Sequence, residues 1–158
     1  MFDIEVTGIL SDIEYGYIDL NKEIHYGDLS KFHTDFRLRS VENILKTKIG
    51  TCWCQTEAER YLFRHYPVKT YYYESEGETH TFLVLYHNKK YYWIEHAWEE
   101  YKAIHIFNDL HSLLYTVREV LDIEKHKGYV YTEYKKPEIN LNCDEFMKYC
   151  RNGIKVNV

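Results

Sequence analysis

The spacing of apolar residues along the chain predicts alternating helical and strand-like segments. A short helix is expected over residues 41–48, ended by Gly50. A second helix is expected over residues 52–65, because this stretch is rich in strong helix formers and stops before Pro67. Cys52 would then lie at the N-terminus of a helix.

Three strand-like runs follow, over residues 68–74, 79–87 and 90–97. The Asn88-Lys89 pair between the last two predicts a two-residue hairpin turn, so the runs should form an antiparallel meander. Residues 81–86 form a nearly continuous apolar run, which is typical of a strand that is covered on both faces and lies in the middle of its sheet.

The remaining pattern adds helices to this sheet. Asn108 can cap a helix with one apolar stripe and a polar end at residues 124–127, and a further strand is expected over 129–134. Asn142, followed three residues later by Glu145, forms a capping box for a last short helix. Helices packed on an antiparallel sheet indicate the α+β class.

The 158 residues contain no repeat and no low-complexity tract, so we interpret residues 1–158 as a single domain. Residues 1–39 show the weakest pattern. Short β-like pieces, such as residues 15–20, alternate there with polar turns, and we expect strand and loop in this part.

Composition narrows the range of partners and locations. Lysine and arginine number 20 against 25 aspartates and glutamates, giving a formal charge of -5 and no basic stripe for nucleic acid. No apolar run approaches the roughly 20 residues of a membrane span, and the first ten residues carry acids where a signal peptide needs basic residues. We expect neither nucleic acid nor membrane as a partner, and a cytoplasmic location.

The four cysteines, at positions 52, 54, 143 and 150, are too sparse for a disulfide framework and lack the spacing of a zinc knuckle. The nine histidines show no HExxH pattern and no metal-binding pair four residues apart. We therefore predict no metal and no cofactor, and interpret Cys54, Cys143 and Cys150 as packing residues.

Cys52 is the candidate nucleophile. A thiol attacks a carbonyl as the thiolate, which is favoured at the positive end of a helix and beside an imidazolium. The backbone N–H groups of the same helix start can stabilise an oxyanion. Gln55, one helical turn later, can face the same cleft, and Trp53 and Trp98 are candidates for its walls.

His80, at the start of the predicted central strand, is the candidate base. If Asn88-Lys89 is a two-residue turn, His80 lies opposite Ala97, and Glu95 shares its face at a diagonal position about 7 Å away. Glu95 would then orient the imidazole. A three-residue loop would invert this parity and bring His96 to that face instead, so the two residues remain alternatives.

These residues resemble motifs of transglutaminase-like proteins, which have a papain-like fold. Gly50-Thr51-Cys52-Trp53 resembles the Gly-x-Cys-Trp element of that superfamily, in which the cysteine begins a helix, and Thr79-His80-Thr81-Phe82 resembles its histidine at a strand start. The family places an aspartate about fifteen residues later, and here that position is Glu95. Over roughly residues 36–150 the chain is similar to small bacterial members without an assigned function.

The resemblance implies a helix bearing Cys52 packed on an antiparallel sheet bearing His80 and Glu95. It also implies thiol-dependent acyl transfer or amide hydrolysis through a thioester, on a protein, peptide or small-molecule amide or ester. Gln55, Trp53, Trp98 and His96 are the expected substrate or oxyanion residues. A protease, amidase or N-acyltransferase on the same triad is an alternative, as is an inactive binding module of the same fold.

Overall fold

The computed structural model describes residues 4–27, 29–76, 78–121 and 128–158, the side chains of residues 4–6 excepted. The helices are α1 (Ile4–Ser11), α2 (Phe32–Asp35), α3 (Val41–Thr47), α4 (Cys52–Leu62), α5 (Leu110–Leu121) and α6 (Cys143–Arg151), with one 3₁₀ turn at Glu99–Tyr101. The strands are β1 (Tyr17–Ile18), β2 (Ile24–His25), β3 (Val68–Ser75), β4 (Glu78–His87), β5 (Lys90–Glu95), β6 (Ala103–Phe107), β7 (Val130–Tyr134) and β8 (Ile154–Lys155).

An antiparallel sheet of six strands, in the order β6-β5-β4-β3-β7-β8, forms the middle of the molecule. Strand β4 pairs with β3 on one side and β5 on the other. This position confirms the expected central strand, and helices packed on an antiparallel sheet confirm the α+β class. Strands β1 and β2 form a separate two-stranded hairpin.

Side chains of β4 alternate between two apolar clusters, because successive residues of a strand point to opposite faces. Leu83 and Leu85 pack in the cluster that contains the start of α4. Phe82 and Val84 pack with Trp93 in the cluster on the other face, which α5 covers. Burial on both faces explains the apolar run seen in the sequence, and each such side chain contributes about 1.5–3 kcal/mol by leaving water.

The β4–β5 hairpin has the expected two-residue turn. Asn88 and Lys89 both have left-handed backbone, with φ of 51° and 62°, the conformation that a type I′ turn requires. His87 pairs with Lys90, and Leu83 pairs with Ile94. This register places the side chains at the start of β4 and the end of β5 on the faces that the sequence predicted.

Helix α4 begins at Cys52 as predicted but ends at Leu62, three residues before the expected end. The preceding helix, α3, is terminated by its C-cap residue Lys48, which adopts the left-handed conformation, and not by Gly50. The glycine has a different role, because a Cβ at position 50 would lie 2.8 Å from Cys54 Cβ. The bare backbone at Gly50 lets the chain pass against the first turn of α4.

Other local predictions are corrected or extended. The N-terminal segment contains helices α1 and α2 where only strand and loop were expected, and strand β6 was not predicted. Asp109, not Asn108, caps α5, since its carboxylate accepts hydrogen bonds from the backbone and side chain of Ser112 at 2.7 and 2.8 Å. The expected polar end at residues 124–127 lies outside the described residues. The capping box of α6 is confirmed.

Within the described part of the chain, the helices are all too short or too polar to cross a lipid bilayer.

Candidate active site

The start of α4 holds Cys52 as its first residue. Thr51, the residue before it, is extended, so the chain enters the helix abruptly. The first-turn N–H groups of a helix lack intrahelical acceptors and carry partial positive charge, which stabilises an anion at this position. The Trp53 ring holds this turn in place. It stacks on the Phe146 ring with 4.4 Å between ring centroids, and it meets the Phe32 ring edge-on with 5.2 Å between centroids.

A hydrogen bond of 2.7 Å joins His80 Nε2 to Glu95 Oε1, in a position buried from solvent. The same oxygen accepts from the Trp93 indole at 3.2 Å, and the other oxygen accepts from the backbone N–H of Ala97 and of Trp98, both at 3.1 Å. Four donors therefore converge on one carboxylate. Such an arrangement fits an ionised acid and fixes its orientation.

The Cys52 thiol and the His80 imidazole lie close enough to interact electrostatically. A second contact holds the two elements in this relation: the hydroxyls of Thr56 and Thr81 are buried and 2.9 Å apart. Thr56 lies one helical turn after Cys52, and Thr81 directly follows His80. Because Nε2 of the imidazole is engaged by Glu95, Nδ1 is the nitrogen left for the thiol.

The electrostatic surroundings favour a protonated His80. Burial by itself would lower the pKa of this imidazole, but the charge of Glu95, the interaction with Cys52 and the hydrogen bond that His80 donates to Glu95 outweigh burial and raise the pKa to about 10. At neutral pH the histidine is therefore an imidazolium between a carboxylate and a thiol, which is the form that stabilises a thiolate.

A cleft of about 860 Å³ opens over these residues. Its lining combines the Cys52 sulfur and the His80 imidazole with apolar and polar side chains. The lining residues come from six segments of the chain: Tyr15, Leu29, Phe32, His33, Thr51, Cys52, Trp53, Glu78, Thr79, His80, Ala97, Trp98, Val120 and Leu121. The Trp98 ring lies edge-on to the His80 ring at 5.5 Å, so one wall of the cleft is packed directly on the imidazole.

Comparisons of the chain with models of known protein families, with curated protein sequences and with solved structures find no match.

The structure separates the remaining predicted residues into two groups. Trp53 and Trp98 line the cleft, as expected. Gln55 does not belong to the described cleft lining, because its side chain is buried and donates to the Gly50 carbonyl at 2.9 Å. His96 also lies outside that lining, and its Nδ1 faces Glu59 Oε1 at 3.4 Å. Glu95, not His96, is thus the residue that contacts His80.

Tyr15 is a site residue that the sequence pattern did not reveal. It lines the cleft beside Cys52, and the negative charge of Cys52 as a thiolate, together with burial, raises the pKa of Tyr15. The residue precedes β1 and is brought to the cleft by tertiary packing, so no local signal could have marked it.

The other thiols are in a different environment. Cys54, Cys143 and Cys150 are all buried, and burial raises the pKa of each, that of Cys143 to about 11. They lie in the apolar cluster that packs on α4. Their surroundings agree with the interpretation of these three residues as packing residues.

One group of potential metal ligands occurs among the described residues, where atoms of Asp19, Glu23 and His25 lie within 4.8 Å of one another. The Asp19 carboxylate is already engaged there, with His25 Nε2 at 2.8 Å and with the backbone N–H groups of Asn21 and Glu23. These hydrogen bonds belong to the turn between β1 and β2, and they explain why the three side chains lie together.

Proposed function

We propose that this chain is a transglutaminase-like cysteine enzyme with a papain-like fold, which transfers or hydrolyses an acyl group through a thioester on Cys52. The observation that supports the proposal best is the buried His80–Glu95 hydrogen bond of 2.7 Å beside a thiol at a helix N-terminus. In this arrangement Cys52 is the nucleophile, His80 the acid and base, and Glu95 the residue that orients the imidazole.

The reaction follows from this assignment of roles. The Cys52 thiolate attacks the carbonyl carbon of an amide, and the oxyanion is stabilised by N–H groups at the start of α4. His80 gives its proton to the leaving amine, so that the C–N bond breaks and a thioester forms. Water or a second amine then attacks the thioester, His80 accepts its proton, and the thiolate leaves.

The shape of the cleft bears on the substrate. Its lining includes Tyr15, Leu29 and Trp98, which are apolar or aromatic, while Glu78 contributes a carboxylate. A cleft lined in this way fits an amide on a peptide or protein segment, or a small amide or ester with an apolar portion. Acyl transfer, proteolysis and amide hydrolysis all use the same first step.

The test uses a fluorescent primary amine together with a peptide that carries side-chain amides. Covalent labelling of the peptide and a thioester adduct on Cys52, detected by mass spectrometry, are expected for the wild type. Release of ammonia without labelling would indicate a hydrolase. Cys52→Ala should abolish both products, whereas Cys54→Ala, which removes a buried thiol two residues away, should retain them.

A binding module without catalysis is the competing function. The intact contacts of His80 with Cys52 and Glu95 argue against it, since a binding surface does not need a buried imidazolium. The two are separated by alkylation with iodoacetamide at pH 6.5. If Cys52 reacts no faster than an ordinary thiol and His80→Ala changes nothing, the enzyme proposal is wrong.

A further inference from the structure

Glu78 is the one acidic side chain among the described residues that line the cleft, and the proposed reaction does not use it. The residue begins β4 and is exposed. Within the described part of the chain its carboxylate has no ion pair and no side-chain hydrogen bond. The same lining contains no lysine or arginine that could neutralise this charge.

The geometry of β4 fixes the position of this acid relative to the imidazole. Glu78 and His80 are two residues apart in one strand, so their side chains point to the same face, about 6–7 Å apart. Phe82 continues this series and packs in the apolar cluster that α5 covers. Val120 and Leu121, the last residues of α5, line the cleft as well. A substrate that reaches Cys52 between these elements therefore passes close to the Glu78 carboxylate.

The other charges of the cleft do not offset this carboxylate. Cys52 as a thiolate and His80 as an imidazolium cancel each other. His33, the remaining histidine of the lining, lies 3.1 Å from the Asp144 carboxylate, so that part of the cleft also borders an acid. A substrate group beside Glu78 should accordingly meet a negative potential.

We infer that Glu78 selects substrates that carry a positive charge next to the reactive amide, namely peptide or protein segments with a lysine or arginine side chain within about two residues of it. A bound substrate removes water from the carboxylate, and an ammonium or guanidinium group replaces that water best. An anionic segment is repelled. The inference rests on the proposed function, because it names the substrate class for the same thiol.

The test measures how fast Cys52 reacts with two thiol reagents of opposite charge, 2-(trimethylammonio)ethyl and 2-sulfonatoethyl methanethiosulfonate, with the labelled residue identified by mass spectrometry. Wild type should prefer the cationic reagent, and added salt should weaken the preference. In Glu78→Gln the cationic rate should fall and the anionic rate should rise, each by about three- to tenfold, as expected for unit charges about 7 Å apart. If both rates move together, or if their ratio is unchanged, the inference is overturned.

Glu138→Gln is the matched control, because it removes the same charge at a distance from the cleft. Glu138 is exposed, does not belong to the described lining, and follows the end of β7. That end of the sheet is far from Glu78, since Tyr134 pairs with Thr70, whose partner on β4 is Leu83. The control should keep the wild-type ratio of the two rates.

A series of substrates separates this inference from the proposed function. Three peptides with the same side-chain amide carry lysine, norleucine or glutamate two residues away, and turnover is followed by amine labelling. For wild type, the lysine peptide should have the lowest KM with a similar kcat, and Glu78→Gln should reduce the difference. Equal kcat/KM for the three peptides would overturn the inference and leave the proposed function intact. If the thiol prefers the cationic reagent but no peptide is turned over, the charge preference stands and the proposed function fails.

Discussion

Replacing Glu95 with glutamine removes one charge from the centre of the site and keeps the shape of the side chain. The rise of the His80 pKa from 6.5 to about 10 corresponds to roughly 5 kcal/mol in favour of the protonated imidazole, at about 1.4 kcal/mol for each pH unit. The carboxylate supplies much of this energy, through its charge and through the 2.7 Å hydrogen bond. In Glu95→Gln, burial should dominate, and the pKa of His80 should fall below about 7.

The loss should be visible both in reactivity and in stability. With less imidazolium, alkylation of Cys52 at pH 8 should slow by at least about tenfold, because a pKa below about 7 leaves roughly a tenth or less of His80 protonated there. In wild type, one carboxylate oxygen accepts from His80 and the Trp93 indole, and the other accepts from the backbone N–H groups of Ala97 and Trp98. Glutamine has only one acceptor oxygen, so one of these two sets of donors loses its acceptor. Each buried donor left without a partner costs about 1–3 kcal/mol, which should appear in urea unfolding.

The assay is an NMR titration of the His80 imidazole together with iodoacetamide kinetics. Glu99→Gln is the matched control, since this side chain is 90% exposed and lies four residues after Glu95. It should leave both measurements unchanged. If His80 still titrates near pH 10 in Glu95→Gln, or if the alkylation rate at pH 8 is unaltered, the electrostatic account of the site is wrong.

Three further predictions concern stability. Because folding raises the pKa of His80, binding of its proton stabilises the folded state, and this stabilisation is complete below pH 6.5. The difference in unfolding free energy between wild type and His80→Gln should therefore decrease as pH rises from 6.5 through about 10. Burial raises the pKa of Glu59 as well, so the unfolding free energy of wild type should fall by up to roughly 3 kcal/mol relative to that of Glu59→Gln as pH rises from 4.5 through about 7. If urea unfolding gives the same difference in free energy between the two proteins at pH 5 and at pH 8, this prediction is wrong. Gly50→Ala should lower the melting temperature and cost about 1–3 kcal/mol of unfolding free energy, because the new Cβ would collide with Cys54 Cβ. Gly8→Ala is the control, since a Cβ at position 8 would have no atom within 4 Å, and it should not lower the melting temperature.

Local chemistry made part of this site predictable. The helix start at Cys52 follows from short-range propensity, and the contact between His80 and Glu95 follows from the parity of a two-residue turn. Both features depend on residues that are close in sequence. The strength of the apolar pattern likewise predicted β4 as the central strand.

The remaining features depend on contacts between distant segments. Nothing around Tyr15 marks it as a neighbour of Cys52, because the two meet only after the N-terminal segment packs on α4. The pairing of Glu59 with His96 joins a helix to the end of a strand, 37 positions apart in the numbering. Gln55 has the spacing of a cleft residue, yet the close passage of Gly50 offers its amide a buried carbonyl instead.

The hairpin of β4 and β5 carries both the histidine and the glutamate, whereas the cysteine comes from a helix earlier in the chain. A hairpin forms from near neighbours and can bring its two members together early in folding, while docking of α4 on the sheet closes a longer loop. In the enzyme that we propose, Cys52 would therefore gain its imidazole partner only after α4 has docked on the sheet, so activation of the thiol would depend on completion of the tertiary structure.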